Sequence, residues 1–242
     1  MRGACCGLAL GAALAAGSGI RAQEAALPSR PNSLAYCYQD QFALAPGPYQ
    51  RARFARGAKP LLIDAADDCI RGPLAKCTGE PLEPTSAWVA GARLGDWVCV
   101  SDGSSSGWVK AGELVLEPVP ERPVADWVGT WDRTEGDAQI RIEAASGKGL
   151  AVAGQATWSS GPGALPRVGE LEGESWPVGV ELLLGDRRCV APDRAEKADS
   201  IPACLGCNAR LLLVGETLIV TDNRMCGGMN VNFDGLYHRT RR

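Results

Sequence analysis

The sequence predicts an all-β protein whose small domains are stapled by disulfides. Three observations carry this. The stretch from Arg210 to Arg239 reads as three consecutive strands. Gly215-Glu216 is a Gly-first two-residue hairpin turn, and Asp222-Asn223 with Gly227-Gly228, around Cys226, supply the next. Apolar and polar residues alternate strictly in segments such as Ala138-Gln-Ile-Arg-Ile-Glu143, and no segment carries a convincing helical period. Ten cysteines lie in 242 residues behind what reads as an export signal.

Residues 1–22 read as a secretory signal peptide. Met1-Arg2 is a short basic start, Ala4 to Gly17 is an apolar run rich in small residues, and Ile20-Arg21-Ala22 offers a cleavage site before Gln23. The run is too short for a spanning helix, and no later segment is long and apolar enough for one. Cys5 and Cys6 lie early in the run, whereas a lipidation cysteine would lie at its end, so cleavage and release are expected. About 220 residues then remain, enough for one large domain or two small ones. Cleavage takes two of the 25 basic residues, Arg2 and Arg21, and none of the 28 acidic ones, so the net charge moves from −3 to −5. That balance argues against nucleic acid as a partner, which needs a basic footprint.

Eight cysteines stay in the mature chain, in two groups of four. Cys37, Cys69, Cys77 and Cys99 precede a Pro-rich gap; Cys189, Cys204, Cys207 and Cys226 follow it. An even number behind a signal peptide reads as disulfides formed in an oxidising compartment. Four cysteines allow three pairings, and the first group stays open. In the second group the C-terminal hairpin brings the strand ends near Cys207 and Cys226 together, which leaves Cys189 with Cys204.

Residues 23–35 are polar and Pro-containing, a poorly ordered leader. The first domain is expected over 36–116. Trp97, Cys99 and Ser101 alternate with Val98 and Val100, Ser101 to Ser106 is a hairpin loop, and Gly107-Trp108-Val109 returns. The motif Gly95-Asp96-Trp97-x-x-Val100, a turn, Gly107-Trp108-Val109 and a closing Leu114 resembles the bacterial Src-homology-3-like (SH3-like) domain over roughly Gly57 to Leu116. The resemblance implies a tight five-stranded barrel. The chain departs from it by an insert, Ala65 to Glu83, which holds Cys69 and Cys77. Trp97 and Trp108 are expected in the core of so small a domain. Trp88 is the candidate for an exposed aromatic contact, with Asp102 and Ser104 of the hairpin loop beside it.

Residues 117–125 form a linker with Pro118, Pro120 and Pro123, whose spacing favours an extended, semi-rigid connector. The second domain is expected over 126–242. It opens with Trp127-Val-Gly129-Thr130-Trp131, continues through Ile140 and Ile142, and turns at Ser146 to Gly149. Leu150 to Trp158 then sets Leu150, Val152, Ala156 and Trp158 on one face. Shorter strands are expected near Val168 to Leu171, Val178 to Leu184 and Arg188 to Ala191. Asp193 to Ser200 reads as a charged loop before the three last strands. About eight strands with hairpin-length connections suggest an up-and-down antiparallel barrel. Gly129-Thr130-Trp131 resembles the Gly-x-Trp opening of the lipocalin-like barrels. That resemblance implies a Trp packed at the closed end under a basic residue of the last strand, here Arg239.

The wider pattern covers Asp126-Trp-x-Gly-Thr-Trp131, Gly154-x-Ala156-x-Trp158, Gly169-Glu-x-x-Gly173 and the C-terminal Cys226-Gly-Gly-Met-Asn-Val-x-Phe-x-Gly-x-Tyr237-x-Arg239. It resembles a family of proteobacterial secreted proteins that join an SH3-like domain to a C-terminal β domain. The resemblance implies a periplasmic or secreted, envelope-associated protein and brings no substrate with it.

No motif points to catalysis. A four-thiolate zinc site would show two close cysteine pairs, and only Cys204-Leu-Gly-Cys207 is close. That pair lacks the strand-to-helix setting of a redox dithiol. The single histidine, His238, has no nucleophile-elbow serine to serve and reads as a surface residue. Asp67-Asp68 and Glu170/Glu172 read as solvated charges, and Asp222 and Asp234 as turn and strand-end residues. There is no phosphate loop, dinucleotide fingerprint or calcium loop. No cofactor or metal is expected.

The expectation is a non-enzymatic binding or inhibitor module of the bacterial envelope. Its partner is a cell-wall peptide or glycan, or a lysozyme or protease that attacks the envelope. Contacts are expected from Trp88, Asp102 and Ser104 in the first domain and from Asn230, Asn232 and Asp234 in the second. The alternative is a carrier of a small apolar ligand, with room beside Gly154 and Ala156 and with Trp131 and Trp158 as the side chains that would fill it.

Overall fold

The computed structural model describes residues 37–45, 47–64, 70, 78–82, 88–134, 136–147, 149–190 and 202–240. The expected signal peptide and leader, Cys69, Cys77, the pair Asp67-Asp68 and the loop Asp193 to Ser200 lie outside these residues. The described chain is all-β: fifteen strands and short 3-10 turns, with no α-helix.

The first seven strands are β1 (Gln50–Phe54), β2 (Leu61–Leu62), β3 (Glu80–Pro81), β4 (Trp88–Leu94), β5 (Trp97–Ser101), β6 (Ser106–Lys110) and β7 (Leu114–Glu117). Five of them make an antiparallel sheet in the order β6-β5-β4-β1-β7. The expected hairpin forms, with Ser101 opposite Ser106. The β2-β3 ribbon joins the sheet through Ile63, whose N–H and C=O exchange bonds of 2.9 and 2.8 Å with Trp108. Every residue of β5 is buried. The reason is alternation between two cores. Val98 and Val100 pack with Phe54, Trp88, Ala90 and Val109. Trp97 and Cys99 belong to a second cluster with Trp108.

The other eight strands are β8 (Gly129–Arg133), β9 (Asp137–Ala144), β10 (Leu150–Trp158), β11 (Arg167–Ser175), β12 (Glu181–Leu184), β13 (Ala209–Val214), β14 (Thr217–Asp222) and β15 (Gly235–Arg239). They form one antiparallel sheet in the order β11-β10-β9-β8-β15-β14-β13-β12, curled into a nearly closed barrel. Side chains fill the remaining seam: a Cβ on Gly173 of β11 would stand 3.1 Å from Leu184 Cδ2 of β12.

Details differ from the sequence reading for local reasons. Arg188 to Val190, the described part of one expected strand, is not a strand. Arg187–Cys189 is a 3-10 turn, started by the Asp186 carboxylate, which accepts the Arg188 N–H at 2.9 Å. β11 is longer than expected, because Gly169, Leu171 and Gly173 keep the inward positions between Glu170, Glu172 and Glu174. The last strand begins only at Gly235, so residues 223–234 are a long loop and not a tight turn. Gly215-Glu216 is the expected two-residue turn, with Val214 opposite Thr217 and Gly215 at φ 66°.

The barrel interior is packed with Trp127, Trp131, Ile140, Leu171, Leu211 and Tyr237 among its fully buried side chains. The space beside Gly154 belongs to Phe233, whose Cε1 would lie 3.0 Å from a Cβ there. At one end Arg239 covers Trp131 with its guanidinium 4.7 Å from the ring centroid. Its two terminal nitrogens donate to the carbonyls of Val128, at 2.9 Å, and Asp126.

β13 and β14 read as unbroken apolar runs, Leu211 to Val214 and Leu218 to Val220, because both of their faces are buried. Leu211, Leu213, Leu218 and Val220 fill the barrel. Leu212, Val214 and Ile219, with Leu236 of β15, face outward into the cluster that holds Trp97 and Trp108. The sheet and the barrel therefore share a core. The 3-10 segment Gln39–Leu44 packs against β6, β14 and β15 and puts Phe42 and Ala43 into it. Cys37 bonds to Cys99 of β5, and the Thr221 hydroxyl donates to the Ala43 carbonyl at 2.8 Å. Arg122 of the linker pairs with Asp126 at 2.9 Å and reaches Glu216 at 3.5 Å, so the connector is tied to the barrel.

Candidate functional site

The contact residues expected in the first domain are not presented together. Trp88 is a correction: it is 3 % exposed and lies edge-on to Phe54 at 6.1 Å. Its apolar ring is worth more to the sheet core than to a groove. Asp102 is spent on its own loop, where Oδ1 accepts the N–H groups of Ser104 at 2.9 Å and Ser105 at 2.8 Å and the Ser104 hydroxyl at 2.8 Å. The loop leans on the barrel. A Cβ on Gly103 would fall 1.9 Å from Nε2 of His238, which is half-buried there rather than a free surface histidine.

The second set shares one loop, and Asp234 is a second correction: it is buried and holds the loop instead of facing outward. Asn230, Asn232 and Asp234 all belong to loop 223–234, at the barrel end opposite Arg239. Two carboxylates close the neck of this loop. Asp222, the last residue of β14, accepts the Phe233 N–H at Oδ2 and the Arg224 N–H at Oδ1, each at 2.6 Å. Asp234 Oδ1 accepts the Asp222 N–H at 2.7 Å. Asn232 Oδ1 in turn accepts the Asp234 N–H at 3.1 Å. Arg133 of β8 donates from Nη1 to the carbonyls of Asn232 at 2.8 Å and Asp234 at 3.4 Å. The Tyr237 hydroxyl donates to the Phe233 carbonyl at 2.9 Å.

Both carboxylates are buried, Asp222 at 6 % and Asp234 at 5 % exposure. Burial pushes both acids up, and the neighbouring Asp222 charge helps to bring Asp234 to about 7. Burial also raises the Tyr237 hydroxyl, which stays protonated and donating. Arg224 Nη2 comes within 2.6 Å of Asp234 Oδ2, but off the hydrogen-bond direction. Three of the four carboxylate oxygens are engaged by backbone N–H groups, so the pair clamps the loop.

The far side of the loop is fixed as well. Cys226 bonds to Cys207, and Cys189 to Cys204, the pairing expected from the hairpin. Asn223 and Asn208 clasp each other: Asn223 Oδ1 accepts the Asn208 N–H and the Asn223 N–H donates to the Asn208 carbonyl, both at 3.0 Å. Asn223 Nδ2 donates to the carbonyls of Cys204 at 3.1 Å and Gly206 at 2.8 Å. The loop pairs with β11 through Gly227 and Gly169, and Arg167 Nη1 donates to the Met229 carbonyl at 3.0 Å. Val231 and Phe233 turn inward as a plug of the barrel.

Of its side chains this frame leaves Arg224, Met225, Met229 and Asn230 exposed. Met229 is 72 % exposed and Met225 47 %, beside Val168 at 54 % and Leu205 at 67 %. The sequence reading passed over both methionines and Arg224. A signal was there: the chain has three methionines, and two lie in one Gly-rich loop next to a cysteine.

Among the described residues no group of three or more His, Cys, Asp or Glu side chains is arranged to hold a metal, and no helix is long and apolar enough to cross a membrane. The three disulfides among the described residues mark an oxidising, extracytoplasmic environment. Comparison of the chain with family models, curated proteins and solved structures finds no match.

Proposed function

We propose that this is an exported, non-enzymatic inhibitor-type binding module of the bacterial envelope, and that loop 223–234 is its contact element. The partner is a hydrolase that attacks the envelope, a lysozyme or a protease. One observation carries the reading: a loop locked at both ends by the Cys207–Cys226 bond and the Asp222–Asp234 clamp holds Met225 and Met229 out in solvent. A monomer gains nothing from exposing flexible apolar side chains on a rigid support. A partner cleft does, because a preorganised loop loses little entropy on docking. Methionine also adapts to the shape it meets. The disulfides and the export signal read in residues 1–22 agree with an envelope location, periplasmic or secreted. The filled barrel leaves little room for the carrier reading.

The test is a panel of lysozymes and proteases assayed with the mature protein, alongside a pull-down on purified peptidoglycan. Inhibition of at least one enzyme is expected, weakened at least tenfold by Met229→Glu or Met225→Glu with thermal stability unchanged. Retention on peptidoglycan without any inhibition would move the reading to a glycan or peptide binder. Inhibition that survives both substitutions would remove the loop from it.

A further inference from the structure

The neck of loop 223–234 holds one more arrangement. The backbone of Arg224 is fixed, at φ 62°, by the bond from its N–H to Asp222 Oδ1. Its side chain is free to leave: it is 56 % exposed and touches the loop only through Asp234 Oδ2 among the described contacts. That oxygen is buried and has no well-directed donor. The charged and titratable groups that face Asp234 are few. Asp222 comes from β14, Arg224 from the loop, Arg133 from β8 and Tyr237 from β15. Arg133 Nη1 is turned to backbone carbonyls, and the Tyr237 hydroxyl to Phe233. Arg224 is thus the solvent-exposed counter-ion of a buried acid pair.

We propose that Arg224 and Asp234 form a proton-operated latch: uptake of one proton by the Asp222–Asp234 pair releases the Arg224 guanidinium to solvent while the backbone clamp of the loop stays closed. The proton takes the place of the guanidinium at Oδ2. Oδ1 keeps its bond from the Asp222 N–H in either state, since a neutral carboxyl still accepts there. Asp222 keeps its two backbone donors. The loop therefore presents a free cation beside Met225 in mild acid and a neutralised one in mild base. The change falls near pH 7, where burial and the second carboxylate set the Asp234 acid. An anionic group on a partner would then be bound more tightly on the acid side. This last use rests on the loop being the contact element; the latch itself does not.

The latch is tested without a partner. Carboxyl carbon and arginine side-chain NMR signals of the mature protein would be followed from pH 4 to pH 9. One carboxyl inflection near pH 7 is expected, with the Arg224 Nε signal moving at the same midpoint. Asp234→Asn should abolish that inflection and hold Arg224 in its acid-side position throughout. Arg224→Gln, an exposed change that keeps the fold, should raise the inflection by removing the cation that favours the ionised acid. Should Asp234→Asn fail to fold, the Arg224→Gln shift decides. The latch is overturned if all carboxyl signals titrate below pH 5, or if Arg224 ignores the inflection. Failure of the enzyme panel with a positive titration would leave the latch standing and remove only its proposed use.

Discussion

Gly169 of β11 and Gly227 of loop 223–234 meet backbone to backbone. A Cβ built on Gly227 would lie 2.6 Å from the Gly169 Cα, and one on Gly169 would lie 2.6 Å from the Cys226 carbonyl oxygen. Neither atom is the end of a flexible side chain, so an added methyl must push the loop off the strand. The Glu170 N–H to Cys226 carbonyl bond of 2.9 Å would go with it. Gly169→Ala is expected to destabilise the protein by about 2 kcal/mol, read by denaturant unfolding. Gly112, which has open space where its Cβ would go, is the control and should change little as Ala.

The Cys207–Cys226 bond spans 19 residues and anchors the loop to the segment that leads into β13. Closing a loop of that size restricts the unfolded chain by about 3 kcal/mol. Replacing both cysteines by Ala should cost about that much, seen as a lower denaturation midpoint. It should also speed amide exchange at Val231 and Phe233, the loop residues buried in the barrel. Slow exchange there after the substitution would show that the hydrogen bonds of the loop hold it without the disulfide.

The strands were legible where one face is buried and the other wet, because alternation then marks each residue. β9 and β10 are such strands: Ile140, Ile142, Leu150 and Val152 point inward, with Gln139, Arg141 and Glu143 outside. The second burial of β13 and β14 was not legible. An apolar run such as Leu211 to Val214 is the same in a strand covered on both sides and in a plain hydrophobic stretch. So the shared core with Phe42 and Trp97 appeared only in three dimensions. The loop was half legible. Its glycines, its cysteine and Asn230, Asn232 and Asp234 stood out, whereas the role of Asp222 depends on an amide donor eleven residues away, at Phe233. Trp88 misled for a related reason. Three tryptophans in a small domain fill two cores, and the sequence shows one.

That shared core makes a prediction about coupling. Phe42 is fully buried between the sheet and the barrel, and Tyr49, ring centroid 5.7 Å away, holds its segment through bonds to the carbonyls of Phe42 and Ala45. Phe42→Ala should destabilise by about 4 kcal/mol. It should also separate one calorimetric transition into two, since the barrel keeps its own interior. Cutting by a glutamate-specific protease after Glu121, next to Arg122 with its pairs to Asp126 and Glu216, should become faster. A single transition merely shifted down would show that the two units unfold together without this contact.

The buried acids give stability a pH dependence whose sign is opposite to that of most carboxylates. A surface Asp paired with Arg has a lowered pKa, and its contribution to stability is lost as pH falls. Asp234 is raised from an ordinary value of 3.8 to about 7. Between those values the folded chain binds a proton that the unfolded chain does not, so its contribution is complete below the ordinary value and is lost as pH rises through about 7. The protein should therefore be more stable at pH 5 than at pH 8, with the slope levelling off above the upper limit. Asp234→Asn keeps an acceptor for the Asp222 N–H and carries no charge, so it should flatten the profile and resist alkaline destabilisation. Denaturant midpoints at pH 5 and pH 8 measure it. If the variant keeps the parental slope, another acid sets that dependence and Asp234 is ionised throughout.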